Sequence, residues 1–301
     1  MRFAYYPGCS LEATGRAYEE STSALAKPLG MELEELDDWN CCGATSYMSV
    51  RELLSYSISA RNLCLAQKRG LDIVAPCSAC FTILRKTDHY LHEMPELRRK
   101  VESVLAAAGL SYTPRSVRVR HLLEVMTGNG GLGKIRDLVR NPLKALKVAP
   151  YYGCQIVRPR VEFDDPEYPM TLDRVIEAIG AQPVYYPVKS RCCGGSLMAS
   201  NEPAAIRLCK NLLLCAQQNE ADCIITVCPL CQMNLDAFQK KVNATYGTRF
   251  NIPVLYFTQL VGLAMGMPAR AVGIGREIVP AASVLGRYAE TSTAPASAAR
   301  A

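Results

Sequence analysis

A chain of 301 residues with 49% hydrophobic and 21% charged side chains can bury one large core or two ordinary ones, and two are expected. Its net charge of +6 comes from scattered lysines and arginines, which excludes the concentrated basic face of a nucleic-acid binder. The most apolar window, from Ile252, is broken by Pro253, Thr258, Gln259 and Pro268, and no uninterrupted run reaches the ~18 residues of a spanning helix.

Taken in chain order, residues 2–6 form a short apolar, aromatic run that ends just before Cys9 and reads as a buried strand. The first 30 residues show no signal-sequence pattern and include Glu19 and Glu20, so a cytoplasmic location is expected. A helical pattern covers 15–29. The vicinal pair Cys41 and Cys42 follows, then a helix over 49–69, a strand over 72–75 and the C-x-x-C of Cys77 and Cys80. His89 and His92 lie three apart on an expected helix after Cys80, a weak metal signal by themselves. Residues 128–144, GNGGLGKIRDLVRNPLK, are glycine-rich and basic and read as the link between halves. Rossmann and P-loop spacings are absent, which disfavours a phosphate-cradling loop. A strand over 147–151 then leads to Cys154, a helix over 170–179 to the pair Cys192 and Cys193, and a helix over 203–220 and strand over 223–227 to Cys228 and Cys231. The small, polar residues from Ala289 to the end have no periodic apolar face, and disorder is expected there.

Strand alternating with helix predicts an α/β fold with short, mainly parallel sheets flanked by helices. The expected division is a first domain over 1–127, a linker over 128–145, a second domain over 146–288 and a tail over 289–301. In such sheets sites form at the carboxyl ends of strands, where Cys9, Cys77, Cys154 and Cys228 fall.

Fourteen cysteines are many for a chain in a reducing compartment, where they more often mean metal or redox chemistry than a disulfide framework. Ten form two matching sets: Cys9, Cys41, Cys42, Cys77, Cys80, and Cys154, Cys192, Cys193, Cys228, Cys231. Cys42 to Cys77 and Cys193 to Cys228 are both 35 positions, while the lead from Cys9 to Cys41 is 32 against 38 in the second set. Flanking residues repeat too: FAYYPGCS with VAPYYGCQ, WNCCGA with SRCCGG, LDIVAPCSACF with CIITVCPLCQM, and VRVRHLLEVMTG with IPVLYFTQLVGLAMG. This is an internal duplication, with extra residues in the first copy near PELRRKVESVLAAAGLSYTP.

A structural zinc takes four ligands, and each set offers five thiols. Neighbouring cysteines can serve different irons of one cluster, so an enlarged iron-sulfur group suits the pattern, with zinc as the runner-up. Disulfides within the pairs are less favoured, because bonding adjacent residues strains the bridge. Gly43 and Gly194, after the pairs, would let the backbone approach a bulky inorganic ligand.

The pattern C-x31-CC-x34-C-x2-C followed by C-x37-CC-x34-C-x2-C, with GC at its start and CCG in its middle, resembles the cysteine-rich CCG domain in tandem. To about Met267 the chain resembles the B subunit of heterodisulfide reductase. The resemblance implies two non-cubane [4Fe-4S] clusters, each held by the five matching cysteines of one half. It also implies cleavage of a small disulfide between them, and two partner proteins in the same complex, one ferredoxin-like and one flavin-containing. The same domains in tandem also occur in electron-transfer subunits of 2-hydroxyacid and glycerol 3-phosphate oxidising systems, often with a ferredoxin-type motif that is absent here. Sulfur-oxidation relatives work on other sulfur carriers.

Asp37 and Asp38 precede the first pair, whereas Lys189, Arg191, Arg158 and Arg160 surround the second. A cationic side could recognise an anionic group on a thiol substrate; offsetting the cluster's charge or facing water is an equal alternative. Cys64 and Cys215 occupy the same place in each repeat, inside helices, and are expected in the core with Cys209 and Cys223. Trp39, Tyr5, Tyr6, Tyr151 and Tyr152 are expected to pack against or shield the site.

Overall fold

The computed structural model describes residues 1–44, 48, 50–158 and 163–289. The predicted tail lies outside the described residues from 290 onward, as does Arg160.

The first repeat contains β1 (Arg2–Tyr5), α1 (Arg16–Ala26), β2 (Glu32–Glu35), α2 (Glu52–Arg69), β3 (Ile73–Ala75), α3 (Ser78–Glu93), α4 (Pro95–Ala106), β4 (Val119–His121) and α5 (Leu122–Thr127). Helix α6 (Gly131–Leu138) follows. The second repeat contains β5 (Lys147–Tyr151), α7 (Thr171–Ala178), β6 (Gln182–Pro183), α8 (Glu202–Gln218), β7 (Cys223–Thr226), α9 (Pro229–Ala237), α10 (Gln239–Tyr246), β8 (Val254–Tyr256), α11 (Phe257–Ala264) and α12 (Ala282–Ala289). Each repeat builds one four-stranded, wholly parallel sheet, ordered β2-β1-β3-β4 and β6-β5-β7-β8. The fold class therefore matches the expectation from the alternating pattern.

The inner strands β3 and β7 are buried at every residue, which is why they read as continuous apolar runs. The edges were harder to see. Strand β2 is ELEE, exposed or half-buried throughout, and β6 is only Gln182 and Pro183; polar, short or proline-bearing edges discourage pairing with other chains. The extra residues of the first repeat form α4, against the shorter α10 in the second.

The two repeats interlock. Helix α1 lies against α11 of the other repeat: Tyr18 stacks on Tyr256 with ring centroids 4.3 Å apart, and Ser21 Oγ meets Thr258 Oγ1 at 2.6 Å. All eight residues of α11 are buried, so the most apolar window of the chain is the seam of the molecule. On the opposite side α5 and α6 pack on α7. The segment 128–145 is thus more than a connector: Ile135 and Leu143 are buried in it, and the Arg140 and Asn141 N–H groups both donate to the Ala264 carbonyl at 2.9 Å. Both hydrophobic cores draw residues from both repeats.

Candidate functional site

Corresponding strands deliver corresponding cysteines. Strands β1 and β5 end shortly before Cys9 and Cys154, and β3 and β7 shortly before Cys77 and Cys228. Cys77 and Cys228 are the N-cap residues of α3 and α9, and Cys80 and Cys231 sit in the first turns. The positive end of the helix dipole favours thiolates at these positions.

The thiols of each repeat stand in file. In the first, contacts run from Cys9 to Cys41, to Cys42, to Cys80 and to Cys77. In the second they run from Cys154 to Cys192, to Cys193, to Cys231 and to Cys228. Cys193 Sγ lies 3.5 Å from Cys231 Sγ. The two files meet where the Cys77 and Cys228 thiols interact. Cys9 and Cys41 are exposed, Cys154 and Cys192 half-buried, and the six others buried, so each file leads from the surface to the seam.

The backbone is shaped to the sulfurs. The N–H groups of Gly194 and Gly195 point at Cys192 Sγ (3.2 Å) and Cys193 Sγ (3.3 Å). Gly8 and Gly153 have φ of +72° and +71°, and a Cβ at either would lie 3.0 Å from Cys80 Sγ or Cys231 Sγ respectively; these positions require glycine. Gly43 and Gly194 also have positive φ, but their close neighbours are Ser55 and Ile58 for the one and Ala205 for the other. These two glycines also let the vicinal turn lie close on the following helix.

Hydrogen bonds from Cys42 and then Cys9 hold the Cys41 thiol well below its ordinary value, and those from Cys154 and Cys193 do the same for Cys192. Their neighbours Cys42 and Cys193 are pushed up, first by the bond to the ionised partner. At the seam Cys228 is lowered, chiefly by Cys231 and Cys77, and Cys77 is raised by Cys228. Sulfurs this close cannot all ionise without cations among them. Five thiolates per repeat, with backbone N–H donors on the sulfurs, fit an iron-sulfur group. Among the described residues no three or more His, Cys, Asp or Glu side chains close round a single ion-sized point; the donors form files of sulfur and not tetrahedra.

Other predicted residues fall elsewhere. Lys189 is 1% exposed and its ammonium lies 3.2 and 3.1 Å from the two Asp173 carboxylate oxygens, over the Tyr168 ring. It is committed to the interior, and its carbonyl accepts from the Tyr152 and Gly153 N–H groups, fixing the turn before Cys154. Arg158 binds the Pro166 carbonyl and Glu167, and Arg191 offers its carbonyl to the Tyr151 hydroxyl at 2.8 Å. Asp37 and Asp38 pair with Arg69 and Arg61. Lys189, Arg158, Asp37 and Asp38 are thus each paired with an opposite charge nearby. His92 is exposed beside Glu93, and His89 lines a groove on α3. Trp39 packs edge-on against Tyr6. Cys64 and Cys223 are buried and Cys215 is half-buried.

Three supporting residues escaped the sequence reading. Asn234 donates to the Cys193 carbonyl (2.7 Å) and to Cys209 Sγ (3.0 Å), while Cys209 itself reaches that carbonyl at 3.4 Å; Cys209 braces the second pair and is not merely filling. In the first repeat Asn62 exchanges hydrogen bonds with the Asn40 backbone. His121 is fully buried; its Nε2 faces the Pro76 and Val227 carbonyls without a hydrogen bond of good geometry. Nothing in their spacing marked these residues, because each acts on a backbone group brought close only by folding.

The cysteine-rich domain called CCG matches residues 3–85 and 148–236. The chain is 34% identical, over 93% of its length and 97% of the relative's, to the 8-methylmenaquinol:fumarate reductase membrane anchor subunit of Wolinella succinogenes. It is 29% identical to the B subunit of the ferredoxin/F(420)H(2)-dependent CoB-CoM heterodisulfide reductase of Methanosarcina acetivorans, over 97% of this chain and 98% of that one. A protein of Archaeoglobus profundus described as like the B subunit of heterodisulfide reductase is also 29% identical, over 91% and 94%. The crystal structure of a hypothetical protein from Helicobacter pylori shares the fold, with a TM-score of 0.73 at 17% identity, over 93% of this chain and 52% of that one. With two matched copies spanning more than half of its length and ten cysteines in corresponding places, the chain belongs to the cysteine-rich CCG domain family.

Proposed function

We propose that the chain is the disulfide-reducing iron-sulfur subunit of a heterodisulfide reductase-like complex. Cys9, Cys41, Cys42, Cys77 and Cys80 would hold one non-cubane [4Fe-4S] cluster, and Cys154, Cys192, Cys193, Cys228 and Cys231 a second. The observation that carries this reading is the meeting of the two thiol files at Cys77 and Cys228. When bound, such clusters would supply electrons one at a time. Reducing RS–SR′ to RSH and R′SH takes two electrons and two protons, so a pair of sites in one molecule matches the demand.

The chain's own residues do the positioning. Cys77 and Cys228 stand at helix N-termini, and the Gly194 and Gly195 N–H groups offset charge on sulfur. The half-buried and exposed outer cysteines leave each file reachable from outside. All fourteen cysteines are free, which suits the reducing cytoplasm. With no ferredoxin motif of its own, the chain would draw electrons from two partner proteins, one ferredoxin-like and one flavin-containing. A second reading, an electron relay serving a catalytic site elsewhere, is favoured by the similarity to part of a fumarate reductase. Among the described residues no helix is long and apolar enough to cross a membrane.

The test is iron and acid-labile sulfide on anaerobically purified protein, with electron paramagnetic resonance before and after thiol and oxidant. About eight irons per chain and a new thiol-dependent signal are expected. Iron with no thiol response would move the assignment to the relay, and zinc in place of iron would overturn the cluster reading.

A further inference from the structure

The two repeats differ in what lies between the seam and the surface. Cys80 corresponds to Cys231, so Phe81 and Arg85 on α3 stand where Gln232 and Asp236 stand on α9. The sheet registers pair Ala75 with His121 and Thr226 with Tyr256, which puts His121 in the place of Tyr256. In the first repeat that place is closed by hydrocarbon, with Phe81 packed edge-on against the His121 ring at 5.5 Å between centroids. In the second it opens onto a polar chain. Gln232 Nε2 donates to Asp236 Oδ2 (3.1 Å) and to the Val254 carbonyl (3.0 Å), and Gln232 Oε1 accepts from the Tyr256 hydroxyl (3.5 Å).

This chain borders a groove of about 170 Å³ that is open to solvent. Arg276 and Ile278 on its rim are exposed and Glu277 is half-buried, whereas Gln232, Tyr256 and Gln259 are buried. Its inner end lies at the seam. Tyr256 stacks on Tyr18, whose hydroxyl reaches the Val227 carbonyl at 3.5 Å, one residue before Cys228. Burial, then the fields of Cys228 and Cys77, hold the Tyr256 phenol in its neutral form, which can donate and accept a hydrogen bond at once.

The outer end carries an acid. Glu277 Oε1 accepts from Gln259 Nε2 on α11 at 3.1 Å, and Oε2 from the Gly275 N–H at 2.8 Å. The charge facing it is Asp236 on α9, which is itself tied to the Ile278 and Val279 N–H groups at 2.8 and 2.9 Å. Glu20 on α1 is paired with Arg276. Burial, with a smaller push from Asp236, raises Glu277 above its ordinary value, so its carboxyl holds a proton closer to neutrality than an exposed glutamate does.

We propose that this groove is the route by which protons reach the seam, with Glu277 taking them from solvent and the Tyr256 hydroxyl passing them inward. This role depends on the chain reducing a disulfide. Two electrons from one-electron reductants break the S–S bond of RS–SR′ and leave two thiolates, and two protons then complete RSH and R′SH. Each proton that Glu277 yields inward is replaced from solvent.

The full chain with its iron is assayed anaerobically, with bis(2-hydroxyethyl) disulfide as the probe and reduced methyl viologen as the reductant. Parent turnover should fall as pH rises through the raised value of Glu277, because the protonated carboxyl is the donor. Glu277→Gln should lower kcat at least ~tenfold and lose that pH dependence, with KM, iron content and the thiol-dependent paramagnetic signal unchanged. Glu96→Gln, the same change on exposed α4, should stay within about twofold. If E277Q does not fold by circular dichroism, Tyr256→Phe, which removes only a hydroxyl, should give the same loss of kcat. Independently of turnover, parent-minus-E277Q infrared difference spectra of the resting chain should show a protonated carboxyl that persists above the ordinary range of glutamate. An unchanged kcat, a raised KM, or a Glu277 that titrates in the ordinary range would each overturn the proton route and leave the disulfide chemistry standing. A parent chain that holds iron but reduces no disulfide would overturn both.

Discussion

Lys189 offers a sharp test of what the charges near the second vicinal pair are for. Its ammonium lies 3.1 Å from Asp173 Oδ2, with the two side chains only 2% and 8% exposed. Replacing Asp173 by Asn keeps the shape but leaves an ammonium buried beside the Met170 sulfur at 3.3 Å and the Tyr168 ring at 4.0 Å. Removing one partner of a buried pair costs ~3–5 kcal/mol, and the aromatic face that remains is worth about 1–2 kcal/mol, so a loss near 3 kcal/mol is expected. Asp173→Leu with Lys189→Met, which removes both charges, should return to within about 1–2 kcal/mol of the parent. Anaerobic urea unfolding followed by circular dichroism measures all three proteins; the midpoint should move with little change in slope. Because the Lys189 carbonyl anchors the Tyr152 and Gly153 N–H groups, Asp173→Asn should also speed alkylation of Cys154 in the metal-free chain. A cost below ~1 kcal/mol for Asp173→Asn would refute the reasoning, because the ammonium would then have another resting place, and recognition of a substrate anion would return as its role.

Gly8→Ala and Gly153→Ala should each strain a left-handed residue by ~1–2 kcal/mol and displace one inner sulfur; each is expected to remove about half of the bound iron, measured by colorimetric assay. Unequal losses would show that the repeats do not load independently. Asn234→Ile copies into the second repeat the residue that stands at position 83 in the first. It removes the hydrogen bonds to Cys193 and Cys209, so a loss of ~1–2 kcal/mol in urea unfolding is expected, with no change at the first site.

The strands that carry the cysteines were legible because they are central, apolar and followed at once by a residue with chemistry. Strand β3 is IVA and β7 is CIIT, without an exposed residue between them. The edge strands were not legible: ELEE of β2 carries no alternation, since one side faces water and both faces are partly open. Spacing revealed which ten cysteines correspond, because duplication preserves distances along the chain. It did not reveal the ties of Lys189, Asp37 and Asp38, because a charge near a motif in sequence says nothing of its partner 16 residues or more away. Nor could it show that Cys209 braces a carbonyl, for its counterpart is the hydrocarbon of Ile58.

The crossing of α1 onto α11, and of α5 and α6 onto α7, has a consequence for how such a molecule could arise. A lone repeat would leave the apolar faces of its helices bare and could bury them only against a second copy of itself. The dyad of that pair would pass between two identical cysteines, those that stand now as Cys77 and Cys228. Fusing the copies into one chain keeps the dyad's geometry but releases its constraint, since a residue no longer has to be the same on both sides. Arg85 opposite Asp236, and Ile83 opposite Asn234, are what that release permits: a symmetric scaffold around two unlike ends.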